Sequence, residues 1–219
     1  MRENFDNQLN SLNQKLLSMA GMAEQIIAMS VKSLEEQNTD LAKKAVEFDS
    51  GINETEREIE RICLRLMLKY QPVFANDLRR VSSALKMITD MERIGDQAAD
   101  IAQLNISLIE KKQNWDLSEI SEMAKASAEM VSNAIEAYIN NDTNMAEMVI
   151  QADDKIDALF EKVKGKVIDD ISADKSKGEK AIDTIMVAKY FERIGDHAVN
   201  VAEWVVFSIT GIHKHEKIM

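Results

Sequence analysis

Residues 92–103 read Glu92-Arg93-Ile94-Gly95-Asp96-Gln97-Ala98-Ala99-Asp100-Ile101-Ala102-Gln103, and ERIGDQAADIAQ returns as ERIGDHAVNVAE at 192–203. Self-similarity at a fixed offset marks a chain built from two copies of one structural unit. Upstream of the repeat, an offset of 104 superposes Met19 on Met123, Thr39 on Thr143, Ala42 on Ala146, Asp49 on Asp153 and Ile52 on Ile156. The change from 104 to 100 puts a four-residue length difference between the two blocks, so that difference belongs to a loop.

Composition says what the repeated unit is made of. Among 219 residues there are one proline and seven glycines, far below average usage, and aromatics are only 5%. Sheets with many turns need more of all three. The expected fold class is therefore all-α. Breaks fall at Asn38-Thr39-Asp40, from Gln71-Pro72 to Asp77, at 113–116, at 140–143 and at 172–177. Pro72 disfavours a helical Gln71, Asp77 can cap a helix starting at Leu78, and Ser176 with Glu179 has capping-box spacing. Two tandem, pseudo-repeated three-helix bundles of six long antiparallel helices result, over 1–113 and 114–219, each expected to have its own core.

The 3,4-spaced seam of the third helix reads Leu78, Val81, Leu85, Ile88, Glu92, Gly95, Ala99, Ala102, Ile106, Ile109. Its counterpart runs Ala181, Ile185, Ala188, Glu192, Gly195, Val199, Ala202, Val206, Ile209, interrupted at the same two places by a glutamate and a glycine. Glu92, Asp96 and Asp100 share one helix face by i, i+4, i+8 spacing, as do Glu192, Asp196 and Asn200. Asp49 and Asn53 flank the seam of the second helix, Asp153 and Asp157 that of the fifth. In a symmetric antiparallel hairpin, facing residues share one midpoint. Asp49 with Asp96 has its midpoint at 72.5 and Asp153 with Asp196 at 174.5, both inside expected loops. Each hairpin therefore carries a ring of carboxylate and amide oxygens at one height, which suits hard cations such as Mg²⁺ or Mn²⁺, or iron.

Two readings of these groups stand side by side. Acids beside a seam are commonly solvated or ion-paired, and Arg93 and Arg193 lie three residues before Asp96 and Asp196. Gly95 and Gly195 leave room either for an ion or for close helix packing. His197 reads as a surface or packing residue, Cys63 as a small core residue, and His213 and His215 as parts of a disordered charged tail. The net charge of −11 argues against nucleic acid. One cysteine fits a reducing compartment, and no run reaches the length of a membrane span, so the expected location is the cytoplasm without membrane insertion.

With ERIGD duplicated, QPVFANDLR between the second and third helices and SMAGMAEQ in the first, the chain resembles the PhoU family over nearly its whole length. The family's paired E(D)xxxD motifs are matched by Glu92/Asp96 and Glu192/Asp196. The resemblance implies a cytoplasmic, often dimeric protein acting with the ATPase of the high-affinity phosphate ABC transporter and with a membrane sensor histidine kinase. It would repress the phosphate-starvation regulon when phosphate is abundant. It also implies multinuclear metal sites, iron included. By position, Glu92, Asp96 and Asp100 carry over to one site and Glu192, Asp196 and Asn200 to the other, supplemented by Asp49, Asn53, Asp153 and Asp157. Asn200 in place of an acid makes the second site the expected weaker one. The competing reading is a carboxylate-bridged metal enzyme of the ferritin-like sort, against which stands the lack of a Glu-x-x-His pair on two helices.

Overall fold

The computed structural model describes residues 2–69, 75–110, 118–214 and 216–217. Six helices account for nearly all of them: α1 (Arg2–Glu35), α2 (Thr39–Lys69), α3 (Ala75–Glu110), α4 (Ser118–Asn140), α5 (Thr143–Ala173) and α6 (Gly178–Thr210). At about 1.5 Å per residue the longest, α3, spans about 54 Å. The expected break at Pro72 and the one at 113–116 lie outside the described residues. Since Lys69 corresponds to Ala173 and Ala75 to Lys175, the four extra residues of the first copy fall between α2 and α3.

The duplication is visible in the turns. After α1, Asn38 N–H donates to Ser33 O (2.8 Å) and Gln37 N–H to Leu34 O; after α4, Asp142 N–H donates to Ala137 O (2.9 Å) and Asn141 N–H to Tyr138 O. This is the paired 6→1 and 5→2 ending of a Schellman turn, with Gln37 (φ 52°) and Asn141 (φ 54°) both left-handed. The next residue then starts the following helix, because Asn38 Oδ1 accepts from Leu41 N and Asp142 Oδ1 from Met145 N, each at 3.0 Å.

Two expected caps are placed differently. Asp77 lies inside the first turn of α3, where its charge opposes the positive end of the helix. Ser176 belongs to a single 3-10 turn, Lys175–Lys177, and donates its N–H to Asp174 Oδ1; α6 then starts at Gly178 without a side-chain cap. Asp174 ends α5 with its backbone N–H, which donates to Asp170 O, and opens the 3-10 turn with its side chain, displacing the capping box.

Helix neighbours define two layers. In front the order is α2-α3-α6-α5, and behind lie α1, against α2 and α3, and α4, against α5 and α6; α1 and α4 also touch. The triplets do not close off separate cores, since one continuous cluster of buried side chains runs through all six helices. The reason is a second heptad seam on the central helices. Ala84, Met87, Met91, Ile94, Ala98, Ile101, Asn105 and Leu108 are all buried on α3, and Val187, Phe191, Ile194, Ala198, Val201, Val205 and Ser208 on α6. The Glu92–Gly95 and Glu192–Gly195 seams, in which buried and half-buried positions alternate, form one edge of a wider apolar arc.

α6 ends on Gly211, whose φ of 77° turns the chain back into a two-residue antiparallel pair, β1 (Ile212–His213) with β2 (Glu216–Lys217). His213 stacks on Trp204 at 3.9 Å rather than trailing in solvent; His215 lies outside the described residues. Among the described residues no helix is long and apolar enough to cross a membrane.

Candidate cation sites

On the α2–α3 hairpin the midpoint rule holds: Asp49 reaches across to the α3 backbone. An ideal Cβ placed on Gly95 would stand 2.8 Å from Asp49 Oδ1 and 2.9 Å from Ile52 Cδ1. Asp49 Oδ2 accepts from Asn53 Nδ2 at 2.9 Å, while Asp49 Oδ1 and Asn53 Oδ1 are buried with no hydrogen-bond partner in the protein. Burial first, then the charges of Asp96, Glu92 and Asp100, push the Asp49 carboxyl up against the lowering effect of Asn53. Burial and Asp96 likewise raise Glu92 and Asp100. Among the described residues the cation in direct contact is Arg93, 3.2 Å from Asp96 Oδ2 and 3.6 Å from Glu92 Oε2.

The α5–α6 hairpin repeats the backbone geometry with other neighbours. A Cβ on Gly195 would meet Asp153 Oδ1 at 2.8 Å and Ile156 Cδ1 at 3.0 Å, and Asp153 Oδ1 is again buried and unpartnered. Asp157 stands where the first copy has Asn53, so an amide donor is replaced by a like charge. Burial, followed by Asp157, Asp196 and Glu192, lifts Asp153 to about 6. Asp196 is raised by burial and Glu192, less the opposing effect of Lys189. Lys189 pairs with Glu192 and lies 5.5 Å from the centre of the Phe160 ring.

Asp49, Asn53, Glu92, Asp96 and Asp100 are thus one group, and Asp153, Asp157, Glu192 and Asp196 a second. Asn200 is not with them. Its Nδ2 donates to Asp90 Oδ1 on α3 (3.2 Å), and its Oδ1 accepts from Lys214 (3.4 Å). The same Asp90 oxygen lies 2.9 Å from His197 Nδ1, so His197 ties α6 to α3. The charge of Arg193 acts across to α3, where it lowers Asp100 against the effects of burial and Asp96. The premise for a weaker second site therefore fails: the amide at 200 is spent on the α3–α6 seam, and the substitution inside the groups is Asn53 against Asp157. One member was missed. Glu56 is raised by burial and by Glu92, joining the first group at one end. Its midpoint with Glu92 is 74, three residues out of register with the pairing of Asp49 and Asp96, so the rule that paired those two did not select it.

Among the described residues no three carboxylate, imidazole or thiol side chains form a closed metal-binding set. The donors nonetheless fit a hard cation. Each group has a buried, orphaned carboxylate oxygen, a glycine that lets that oxygen touch the opposite backbone, and acids that raise one another's pKa. Arg93 and Lys189 offset only part of the negative charge, and oxygen-seeking Mg²⁺, Mn²⁺ or iron would supply more. The Cys63 thiol, buried and pushed up to about 12, belongs to the core.

Fold and sites define a duplicated six-helix protein with one carboxylate group on each outer α-hairpin. The family model described as the PhoU domain matches residues 16–104 and again 120–205. The chain belongs to the PhoU family. It is 34% identical to the phosphate-specific transport system accessory protein PhoU homolog of Clostridium acetobutylicum, over 96% of either chain. Against the Escherichia coli K12 protein named phosphate-specific transport system accessory protein PhoU, identity is 27% over 94% of this chain and 86% of the relative. The crystal structure of PhoU from Pseudomonas aeruginosa superposes with a TM-score of 0.88 at 31% identity, covering 94% of this chain and 99% of that one. The phosphate transport system regulatory protein PhoU of Streptococcus pneumoniae gives 0.87 at 25%, covering 98% and 99%.

Proposed function

We propose that this chain is an accessory and negative regulator of high-affinity phosphate transport. It works in the cytoplasm as a homodimer, without catalysis of its own. Its partners are the ATPase subunit of the phosphate ABC transporter and the sensor histidine kinase of the phosphate regulon. The observation that carries the reading is likeness along the whole chain, both repeats included, to proteins named for that accessory role. An all-helical slab with broad polar faces suits docking more than turnover. Regulation follows if the chain binds one state of the kinase or transporter more tightly than the other, which biases that equilibrium by the difference in affinity.

The carboxylate groups serve this role as cation sites. Asp49, Glu92, Asp96 and Asp100, with the Asn53 amide oxygen, would hold one ion; Asp153, Asp157, Glu192 and Asp196 would hold the other. A bound Mg²⁺, Mn²⁺ or iron ion supplies the positive charge that offsets carboxylate repulsion. The chain's own residues do the rest: α2 and α5 present the buried aspartates, α3 and α6 present the E-x-x-x-D faces, and the apolar core behind fixes their spacing.

A strain lacking this gene, grown in abundant phosphate, tests the regulatory reading through an alkaline phosphatase reporter. The account expects the reporter to be on, to be silenced by the wild-type gene, and to be silenced incompletely by a gene carrying Asp49→Asn and Asp153→Asn. A reporter equally silent with and without the gene would overturn it.

A further inference from the structure

The geometry points to Gly95 and Gly195 as positioning residues: each leaves open the space through which the aspartate of the neighbouring helix, Asp49 or Asp153, brings its buried oxygen into the carboxylate group. This rests on the cation-site reading above and assigns a role to residues outside the ligand set. A glycine inside a long helix loses helix propensity relative to alanine, so its presence calls for a reason. At Gly165, also inside a helix, nothing lies within 4 Å of where a Cβ would stand. At Gly95 and Gly195 the first atom met is a carboxylate oxygen at 2.8 Å in both copies, closer than such contacts tolerate.

Two consequences follow. A methyl at either place must displace the aspartate, because the other side of the contact is helix backbone and cannot move away. The displaced oxygen is the orphaned one, Asp49 Oδ1 or Asp153 Oδ1, which no protein donor holds in place. Helix packing is the competing explanation, since Ile52 Cδ1 and Ile156 Cδ1 stand at 2.9 and 3.0 Å from the same Cβ positions. The two explanations separate by substitution: valine removes the Cδ1 contact, the closest packing contact, keeps Cγ2 at 3.3 Å from the Cβ position at Gly95 and 3.6 Å from that at Gly195, and leaves the carboxylate clash untouched.

The test uses the full chain stripped with chelator, titrated with Mn²⁺ by calorimetry and by the electron paramagnetic resonance signal of free Mn²⁺, alongside thermal melts. Gly95→Ala and Gly195→Ala should each weaken uptake at one site by about tenfold or more, the usual effect of disturbing what orients a metal ligand. Gly165→Ala should bind as wild type. In Gly95→Ala/Ile52→Val the loss should persist; recovery of wild-type uptake would assign the glycine to packing and overturn the proposal. In chelator, the melting-temperature loss caused by Gly95→Ala should shrink in an Asp49→Ala background, which also covers the case of a single variant too unstable to titrate. An equal loss in both backgrounds would contradict the proposal. Should wild type take up no Mn²⁺, the cation reading falls, while the chelator comparison still decides whether glycine places the aspartate.

Discussion

The α2–α3 and α5–α6 hairpins hold the same contact in different electrostatic company. In both, an aspartate oxygen rests against a glycine at the same distance, with an isoleucine beside it. In the first, Asn53 donates to the aspartate and Arg93 spans Glu92 and Asp96. In the second, the neighbour is Asp157, the charge of the repeat's arginine acts on Asp100 of α3, and among the described residues Lys189 reaches the group through Glu192. Backbone approach and charge balance are thus separable properties of one repeated unit. The second sets a like charge, Asp157, beside its buried aspartate where the first sets an amide donor, so that aspartate would gain more from a cation.

The largest effect should leave the comparison symmetric. Ile52 and Ile156 are fully buried in equivalent places, and truncating either to alanine should destabilise by about 2–5 kcal/mol in urea unfolding. Clearly unequal losses would mean that the two scaffolds differ and not only their charges.

A smaller effect should split the halves. In chelator at about pH 7, Asp153→Asn should stabilise by about 1 kcal/mol, after discounting its raised pKa for solvent screening of a half-buried group. Asp49→Asn should gain less, because Asn53 already stabilises that carboxylate. The pH dependence has a definite sign. A carboxyl at about 6 when folded and near 3.8 when unfolded adds stability that is complete below the lower value and is lost as pH rises through the upper one. Metal-free protein should therefore melt higher at about pH 5 than at about pH 7, and Asp153→Asn should flatten that rise. A rise of the same size in the variant would remove Asp153 as its source.

The smallest effect concerns Arg93. Its guanidinium is more than half exposed, so Arg93→Ala should change stability by less than about 1 kcal/mol. It should nonetheless take from the first group its contacting cation, tightening Mn²⁺ uptake there by calorimetry.

Much of this was legible in the sequence because it is local or periodic. The repeat at 92 and 192 implied two copies, the scarcity of breakers implied helices, and the hairpin midpoint brought Asp49 to Asp96 before any coordinates. What escaped depended on packing between the copies. The buried seams through Met91 and Phe191 are as regular as those chosen, but nothing local says that α3 and α6 are covered on two sides. Asn200 sits at ligand spacing, yet its rotamer is decided by Asp90, more than a hundred residues away. The cap at Ser176 failed because Asp174 both ends one helix and opens the next turn; at Asp77 the helix already begins at Ala75.

Titrating chelator-stripped wild type with Mn²⁺ by calorimetry, beside Asp49→Asn, Asp153→Asn and the double variant, tests the central claim most directly. The account predicts saturable uptake at two sites of unequal affinity, the tighter one lost with Asp153→Asn and both lost in the double variant. Uptake in the double variant indistinguishable from wild type, or none in wild type, would contradict it.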